Sequence, residues 1–398
     1  MKRILTIALA AILLLSCTIT SIAEEPETIK IALINALSGD SAEGGQHELE
    51  AAQLAIKHIN EKGGIQSLGG AKLELVSADY TSSTDNTRSV VERVLSSNDI
   101  TAGVGGTTSG LILPTLSIWE RYGVPLVTEN NATDLTNQGY EYVFSVHCRA
   151  TSNGEVSVQF VQDLEELFGI DASKCAIIYE NSAKGMSSAD GARAMIEKAG
   201  MSIVYDESHP NTITDVSSII TAVKSTGATV NFIYTIEQVA KLLFTTARDL
   251  DYYPVTIAAT QTPSFYDALG DAINGTLVSC NWCYGNKNVV ENPEYKAIVD
   301  EYKETYGYFM DQSAGGVYSS VMIIADALEQ CGTTDKEVLR DTIKNGAFET
   351  LLDGTVTFNE GGANENASAV IAQWQEGDLI TIYPERLASG TYIDPSEM

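Results

Sequence analysis

The sequence predicts an α/β protein built from two doubly wound lobes, and two patterns support this prediction. Short, continuously apolar segments alternate with amphipathic segments from residue 29 onward, which is typical of a parallel sheet covered by helices on both faces. The same alternation starts again near residue 154, so the chain contains two successive sets of strands and helices. Each set is long enough to form its own sheet.

The first set runs from residue 29 to residue 128. Continuous apolar runs predict its strands, and apolar residues spaced three and four apart predict its helices. The strands are Ile29–Leu37, Leu73–Ala78, Ile100–Gly105 and Val124–Thr128, and the helices are His47–Lys62, Thr84–Ser97 and Ser109–Tyr122.

The second set follows the same rules, and a β-rich tail over residues 354–383 ends the pattern. The strands are Cys175–Glu180, Met201–Asp206, Val230–Thr235 and Val255–Ala259, and the helices are Glu155–Phe168, Gly185–Ala199, Val216–Ser225 and Gln238–Leu250. Two further helices, Pro293–Tyr306 and Tyr318–Gln330, precede the tail.

The charge balance excludes several classes of partner. The 398 residues carry a formal net charge of −29, which opposes binding to nucleic acid and to anionic lipid. A hydrophobic content of 44% with 19% charged residues is typical of a folded globular chain.

The N-terminus resembles an export signal. Lys2 and Arg3 precede the apolar run Ile4–Leu15, which is too short to span a membrane as a helix. Two processing routes remain open: cleavage after Ala23, or lipidation of Cys17 in a lipobox-like Leu14-Leu15-Ser16-Cys17. Either route places the protein in the periplasm or outside the cell, and the second would anchor it to the membrane as a lipoprotein.

Five cysteines follow the signal segment, which leaves at least one thiol unpaired. Cys280 and Cys283 match a CxxC spacing, but they lie where a predicted strand runs into a turn and not at a helix N-terminus. We therefore predict a structural role for both.

Sequence templates for catalysis and metal binding are missing from the chain. His47 and Glu48 begin a pattern like that of a zinc-protease helix, but the second histidine is absent. Neither a P-loop nor a GxSxG motif occurs. We expect no metal, no cofactor and no enzymatic activity.

A segment rich in glycine and hydroxyl side chains follows the third predicted strand. Gly106-Thr107-Thr108-Ser109-Gly110 leads into a helix and points backbone N–H groups at the crevice beyond the sheet. This segment has no Lys or Arg, so a carboxylate is the natural ligand; the alternative is that Ser109 only caps its helix. A second hydroxyl-rich turn, Thr128–Asp134, follows the next strand, so Thr133 is expected to reach the same ligand.

Several segments carry a more specific signal. They are Leu37–Gly39, Gly45, Ala51–Ile65, Thr107–Pro114, Ala132–Thr136 and Tyr318–Leu328, of which Asn60–Ile65 is the most distinctive part. Together they resemble the branched-chain amino-acid-binding family, the type I periplasmic solute-binding proteins of ABC importers. The resemblance covers nearly the whole mature chain.

The resemblance implies two Rossmann-like lobes joined by three hinge crossings, with an amino acid bound between them when they close. It also implies delivery of that ligand to a membrane permease, without chemistry on the ligand, and we expect a monomer. On this plan residues 1–23 are the signal peptide, residues 28–147 and 280–354 form lobe 1, and residues 148–279 and 355–390 form lobe 2.

The resemblance also assigns ligand-binding roles. It places the carboxylate-binding serine at Ser109, flanked by Thr108 and Gly110, the threonine for the amino group at Thr133, and a main-chain partner near Asn131.

Three positions depart from the family pattern. Gly44 replaces an aromatic residue, Lys184-Gly185 replaces a Tyr-Gly pair, and Thr260-Gln261 replaces an acidic residue for the ligand ammonium group. A ligand larger or more polar than leucine is therefore expected, unless Glu237 or Glu180 supplies the missing carboxylate.

The leading hypothesis is an extracytoplasmic solute-binding protein of an ABC importer for an amino acid or a related carboxylate or amide. The alternative hypothesis is a ligand-sensing receptor domain that acts on a signalling partner.

Overall fold

The structure, a computed structural model, describes residues 27–397. The predicted signal peptide and Cys17 lie outside these residues. Two sheets form the framework, and helices cover both faces of each. Within the described residues, no helix combines the length and the apolar character needed to cross a bilayer.

The first sheet has five parallel strands in the order β2-β1-β3-β4-β5. Its strands are β1 (Ile29–Asn35), β2 (Leu73–Asp79), β3 (Ile100–Val104), β4 (Leu126–Thr128) and β5 (Val143–Ser145). The helices between them are α1 (Ala42–Glu61), α2 (Thr84–Ser97), α3 (Ser109–Ile112) and α4 (Leu116–Tyr122).

The second sheet has seven strands in the order β12-β11-β10-β9-β8-β6-β7, parallel from β6 to β10 and antiparallel at β11 and β12. Its strands are β6 (Lys174–Glu180), β7 (Ser202–His209), β8 (Val230–Tyr234), β9 (Val255–Ala258), β10 (Leu277–Cys280), β11 (Val370–Gln375) and β12 (Asp378–Tyr383). Its helices are α5 (Ala150–Phe168), α6 (Ala183–Ala199), α7 (Ser217–Thr226), α8 (Glu237–Asp249) and α9 (Pro263–Leu269).

After β10 the chain returns to the first sheet. Val317 and Val321 pack in the same core as Ile31 and Leu33 of β1. This return adds α10 (Lys287–Glu291), α11 (Pro293–Tyr306), α12 (Gln312–Cys331) and α13 (Lys336–Asn345) to the first lobe.

The chain crosses between the two lobes three times, after β5, after β10 and before β11. Val356 and Phe358 still belong to the core of the first lobe, and Asn364 donates a backbone hydrogen bond to the carbonyl of Ser145 in β5. We therefore propose that the third crossing lies between Asn364 and Val370, later than the boundary at residue 355 expected from the sequence.

Two of the predicted helices that differ from the observed ones follow β1 and β3. Helix α1 begins at Ala42, five residues before the predicted start at His47, and includes Gly44 and Gly45. The predicted helix Ser109–Tyr122 is divided by a 3₁₀ turn at Leu113–Thr115, because Pro114 lacks the N–H group that a continuous α-helix needs.

Candidate ligand-binding site

The carboxyl ends of the two sheets face each other. Ser264 Oγ, which follows β9, lies 2.8 Å from Glu43 Oε2, and Glu43 lies in the first turn of α1 after β1. The N-terminal part of α6 packs against α3 and against the 3₁₀ turn Thr133–Leu135. Loops that follow parallel strands of both lobes therefore meet in one crevice, the position where α/β sheets bind ligands.

The predicted anion site at residues 106–110 is partly occupied by the protein itself. The backbone N–H groups of Gly106 and Thr107 donate to Glu48 Oε2 at 3.2 and 3.1 Å. Gly105, Gly106 and Thr107 have φ angles of 79°, 125° and 54°, and this backbone shape lets successive N–H groups converge on one oxygen. In this segment, the N-terminus of α3 is therefore the part that remains available to a ligand carboxylate.

Ser109 and its neighbours have three different environments. The Ser109 side chain is buried, donates to Asn130 Oδ1 at 3.4 Å and accepts from the Ala132 N–H at 3.2 Å, so it joins two loops. Thr108 begins α3 without capping it through its side chain. A Cβ atom added at Gly110 would meet nothing within 4 Å, which shows open space beside this residue.

Thr133 and Asn131 lie close in sequence but point to different places. Thr133 Oγ1 is buried and has no hydrogen-bond partner among residues 27–397. The Asn131 side chain donates to Cys148 O at 2.9 Å and Asn281 Oδ1 at 3.1 Å, and its carbonyl accepts from the Ala150 N–H. The Thr133 hydroxyl is thus available to a ligand. The Asn131 side chain instead contacts the crossings after β5 and after β10.

The second lobe contributes a similar set of groups. Thr260 donates to the Thr235 carbonyl at 3.2 Å, and Gln261 Nε2 donates to Trp282 O at 2.9 Å. Gln261 Oε1 and Thr235 Oγ1 are buried and, within the described part of the chain, have no hydrogen-bond partner. The predicted residues Thr260 and Gln261 are therefore joined by Thr235, which we did not predict.

Lys184 lies in the first turn of α6 and its charge acts inward. Burial raises the pKa of Glu129 in the first lobe and of Glu180 in the second, and the charge of Lys184 opposes both shifts. Burial lowers the pKa of His147 in the first lobe, and the charge of Lys184 lowers it further. The Lys184 side chain is half-buried. The structure therefore puts a positive charge at the meeting edges of the two lobes.

The two carboxylates considered for a ligand ammonium group are already engaged. Glu180 accepts from Ser182 Oγ at 2.6 Å and from the Ile236 N–H at 3.0 Å. Burial raises the pKa of Glu237, but hydrogen bonds from Lys241 and Ser264 outweigh this effect and the pKa lies below its ordinary value. Neither group is left unpaired for a ligand.

Gly44 lies beside the loop that follows β3. A Cβ atom added there would be 3.7 Å from Thr107 Cγ2, so a larger side chain would project next to this loop. Glycine at this position leaves the space open, as the sequence comparison with the family pattern suggested.

Residues 27–397 contain no cluster of three or more His, Cys, Asp or Glu side chains that could hold a metal ion. The five cysteines in this range are free thiols. Burial raises the pKa of Cys283 to about 12, which suits the structural role predicted for the CxxC pair.

A cavity of about 410 Å³ lies at the opposite, amino-terminal edge of the second sheet. Its wall includes Ile220, Ile233, Leu243 and Phe244, which are apolar, and none of the predicted site residues. It is therefore separate from the crevice between the lobes.

Sequence reasoning missed Glu48, Asn130 and Thr235. Thr235 could have been predicted, because it ends a predicted strand as Thr128 does, and ligands of α/β proteins bind at the carboxyl ends of parallel strands. Glu48 carries no such signal, since it lies in the middle of a helix.

Comparison with known proteins identifies the family. The family model described as "Periplasmic binding protein" matches residues 28–378. The chain belongs to this family. A Leu/Ile/Val-binding protein homolog from Brucella suis is 27% identical over 402 residues, covering 97% of this chain and 98% of that protein.

Two solved structures of transporter binding proteins share the fold. The substrate binding protein LivJ from Streptococcus pneumoniae, in complex with isoleucine, has a TM-score of 0.78 and 23% identity, covering 89% of this chain and 98% of the other. A solute binding protein of an ABC transporter from Rhodopseudomonas palustris, in complex with 3,4-dihydroxybenzoic acid, has a TM-score of 0.74 and 18% identity. The match covers 93% of this chain and 99% of the other.

Membership of the periplasmic binding protein family confirms the resemblance and the fold class predicted from the sequence. It implies an extracytoplasmic location and a role in binding a solute, and the relatives are binding proteins and not enzymes.

Proposed function

We propose that this periplasmic binding protein captures a small carboxylate between its two lobes for an ABC importer. The observation that carries the proposal is a group of buried oxygen atoms that have no hydrogen-bond partner among residues 27–397, on Thr133, Thr235 and Gln261, at the facing edges of the sheets. Buried polar atoms are normally hydrogen-bonded, so unpaired ones on both sides of a crevice indicate a missing polar ligand.

In this proposal the ligand carboxylate binds the N-terminus of α3. Ser109 and Gly110 present N–H groups there, whereas the Thr108 N–H donates to Gly106 O at 2.6 Å, and helix N-termini favour anions. Thr133 contributes its hydroxyl, and Thr260 and Gln261 bind from the second lobe. Asn131 acts on the crossings and not on the ligand directly.

The charges in the crevice favour a ligand without a free ammonium group. A buried ammonium group needs an unpaired carboxylate or several good acceptors, whereas Glu180 and Glu237 are engaged and Lys184 adds a positive charge. The ligand of the Rhodopseudomonas palustris protein, 3,4-dihydroxybenzoic acid, is a carboxylate of this kind. The isoleucine of the Streptococcus pneumoniae complex represents the other possibility.

The proposal includes export by the predicted N-terminal signal, with Cys17 as the lipid attachment point if the lipobox is used. It further includes a monomeric state, docking to a membrane permease and no chemical change of the ligand.

Calorimetric competition tests the ligand class. Leucine, isoleucine and valine are compared with aromatic acids, short hydroxy and keto acids, and amides, after a thermal-shift screen of the same compounds. A ligand at 100 times its Kd adds about 2.7 kcal/mol to stability, which such a screen detects. We expect a carboxylate without an ammonium group to bind most tightly. Sub-micromolar leucine binding with all other compounds inert would contradict this part of the proposal.

Uptake measurements test the importer role. Cells that lack the gene should lose uptake of the radiolabelled form of the best binder, and a plasmid copy should restore it. Unchanged uptake together with a lost transcriptional or chemotactic response would favour the receptor hypothesis.

A further inference from the structure

Glu48 occupies an unusual position beneath the loop that follows β3. Its side chain is fully buried in α1, and its Oε2 atom accepts from Asn35 Nδ2 at 2.7 Å as well as from the Gly106 and Thr107 N–H groups. One oxygen therefore holds the end of β1 and the turn that leads into α3.

Glu129 approaches the same place from the loop that follows β4. It is 4% exposed, and its carboxylate accepts from Asn130 Nδ2 at 2.8 Å. Thr128 Oγ1 lies 3.4 Å from this carboxylate and donates its proton to Gly105 O at 2.8 Å. The Glu129 and Glu48 carboxyl groups therefore flank the same stretch of backbone, since Thr128 links Glu129 to Gly105 and the next N–H, that of Gly106, donates to Glu48 Oε2. A hydrogen bond between the two carboxyl groups affects the pKa of both. Apart from this neighbour, Glu48 Oε1 is buried without a donor among residues 27–397.

A proton must lie between the two carboxyl groups. Two ionised carboxylates have no donor to share and would repel each other in a site closed to water. Burial and the charge of Glu129 raise the pKa of Glu48 well above its ordinary value, and burial raises the pKa of Glu129 to about 7. Glu48 therefore carries the proton and donates it to Glu129.

The other titratable groups around the pair do not supply a proton to it. Tyr80 donates to Gly106 O at 2.6 Å, and burial raises its pKa well above the ordinary value, so it stays neutral. Burial and the charge of Lys184 lower the pKa of His147 to about 3, so it does not become a donor cation. Lys184 is the nearby positive charge, and it favours the ionised form of Glu129.

We propose that Glu48 and Glu129 are positioning residues for ligand binding, because the proton they share joins the 105–110 loop to the 129–135 loop. The proposal rests on the proposed function only in assigning Ser109 and Thr133, which these loops carry, to the ligand. When Glu48 loses its proton at alkaline pH, two like charges face each other and the loops separate. Ligand affinity should then decline.

Amide hydrogen exchange of the unliganded protein tests the shared proton without any ligand. The protection of the Thr107 amide, corrected for the intrinsic pH dependence of exchange, is measured from neutral to alkaline pH; the Gly106 amide is not the reporter, because it also donates to Asn35 Oδ1 at 2.8 Å. In the wild type it should fall roughly 10- to 150-fold when the pair ionises, as expected for loss of a hydrogen bond to a charged group.

Two variants distinguish an effect of the shared proton from an effect of the packing of the Glu48 side chain. Glu48→Gln supplies an amide donor to Glu129 that does not titrate, so protection should be as in the wild type at neutral pH and should persist at alkaline pH. Glu48→Ala should lose protection at every pH. Asp353→Asn is the matched control, because Asp353 is another buried acid with its pKa raised to about 7 and has no hydrogen bond to either loop.

Calorimetry with isoleucine and with 3,4-dihydroxybenzoate extends the test to binding. A probe that binds the wild type should lose affinity at alkaline pH and in Glu48→Ala, but not in Glu48→Gln. If neither probe binds, that result counts against these ligands alone, and the exchange experiment still decides the proposal. Protection that does not change with pH in the wild type, or a Glu48→Gln variant that behaves like Glu48→Ala, would overturn it.

Discussion

Thr133 and Ser109 both carry hydroxyl groups at the crevice, but of the two only Thr133 has a hydroxyl without a partner among the residues that the structure describes. Thr133→Val preserves the shape of the side chain and removes the hydroxyl. We expect roughly 10- to 150-fold weaker binding of the best compound from the ligand screen, with the melting temperature of the unliganded protein nearly unchanged. Calorimetry and thermal unfolding measure the two quantities.

Ser109→Ala is the matched comparison for that prediction. It removes a side chain that joins the Asn130 and Ala132 loop, so it should lower both affinity and the melting temperature of the unliganded protein. Wild-type affinity in Thr133→Val would show that the ligand lies elsewhere in the crevice.

Individual site residues were predictable to different degrees. Ser109, Thr133 and Thr260 follow strands whose ends are visible as the limits of apolar runs, so their place at the sheet edge could be predicted. The contact between Glu48 and Gly106 spans 58 residues and depends on how α1 packs over β1 and β3. A local sequence pattern does not contain that information, which is why the expected anion site contains a carboxylate of the protein itself.

At the scale of elements, a buried ion pair joins α1 to α12. His47 Nδ1 lies 2.7 Å from Asp311 Oδ2, and Asp311 also caps α12 by accepting from the Ala314 N–H. Burial alone would lower the pKa of His47, but Asp311 raises it above its ordinary value. Burial would raise the pKa of Asp311, but His47 and the cap hold it below its ordinary value.

The pair should make stability depend on pH. The contribution of a raised histidine pKa is fully present below about pH 6.5 and is lost as the pH rises through the folded-state pKa. The contribution of the lowered Asp311 pKa is present above about pH 4 and is lost on further acidification. His47→Gln should therefore cost about 1.5–3 kcal/mol at pH 5.5 and less at pH 9. Urea unfolding of both proteins at the two pH values measures this, and an equal cost at both would contradict the role of charge.

The sequence predicted which segments are helical better than it predicted where each helix begins. The predicted helices Thr84–Ser97 and Pro293–Tyr306 have the observed bounds, whereas α1 and α12 begin five and six residues before the expected starts. Both early segments contain paired glycines, which normally oppose helix formation. A Cβ atom at Gly45 would lie 1.9 Å from Ala36 O, and one at Gly316 would lie 2.4 Å from Glu129 Cβ. Close packing against the sheet requires these glycines, and this requirement is a tertiary one.

At the scale of the whole molecule, the lobes touch through Ser264 and Glu43 and share three crossings. If ligand binding closes the two lobes as rigid bodies, the radius of gyration should fall when the best compound of the screen saturates the protein. Small-angle X-ray scattering with and without that compound measures the change. Superimposable curves with a ligand proven to bind tightly would argue against a hinge motion.

The Asn131 amide gives this motion a mechanical basis. It is bonded to the first crossing at Cys148 and to the second at Asn281, and it lies two residues from Thr133. If the lobes rotate about these crossings, a displacement of the Thr133 turn would be passed directly to the pivot. With the solute bound at Thr133, the pivot would lie close to it, and a small shift at the turn would become a large movement at the far ends of the lobes.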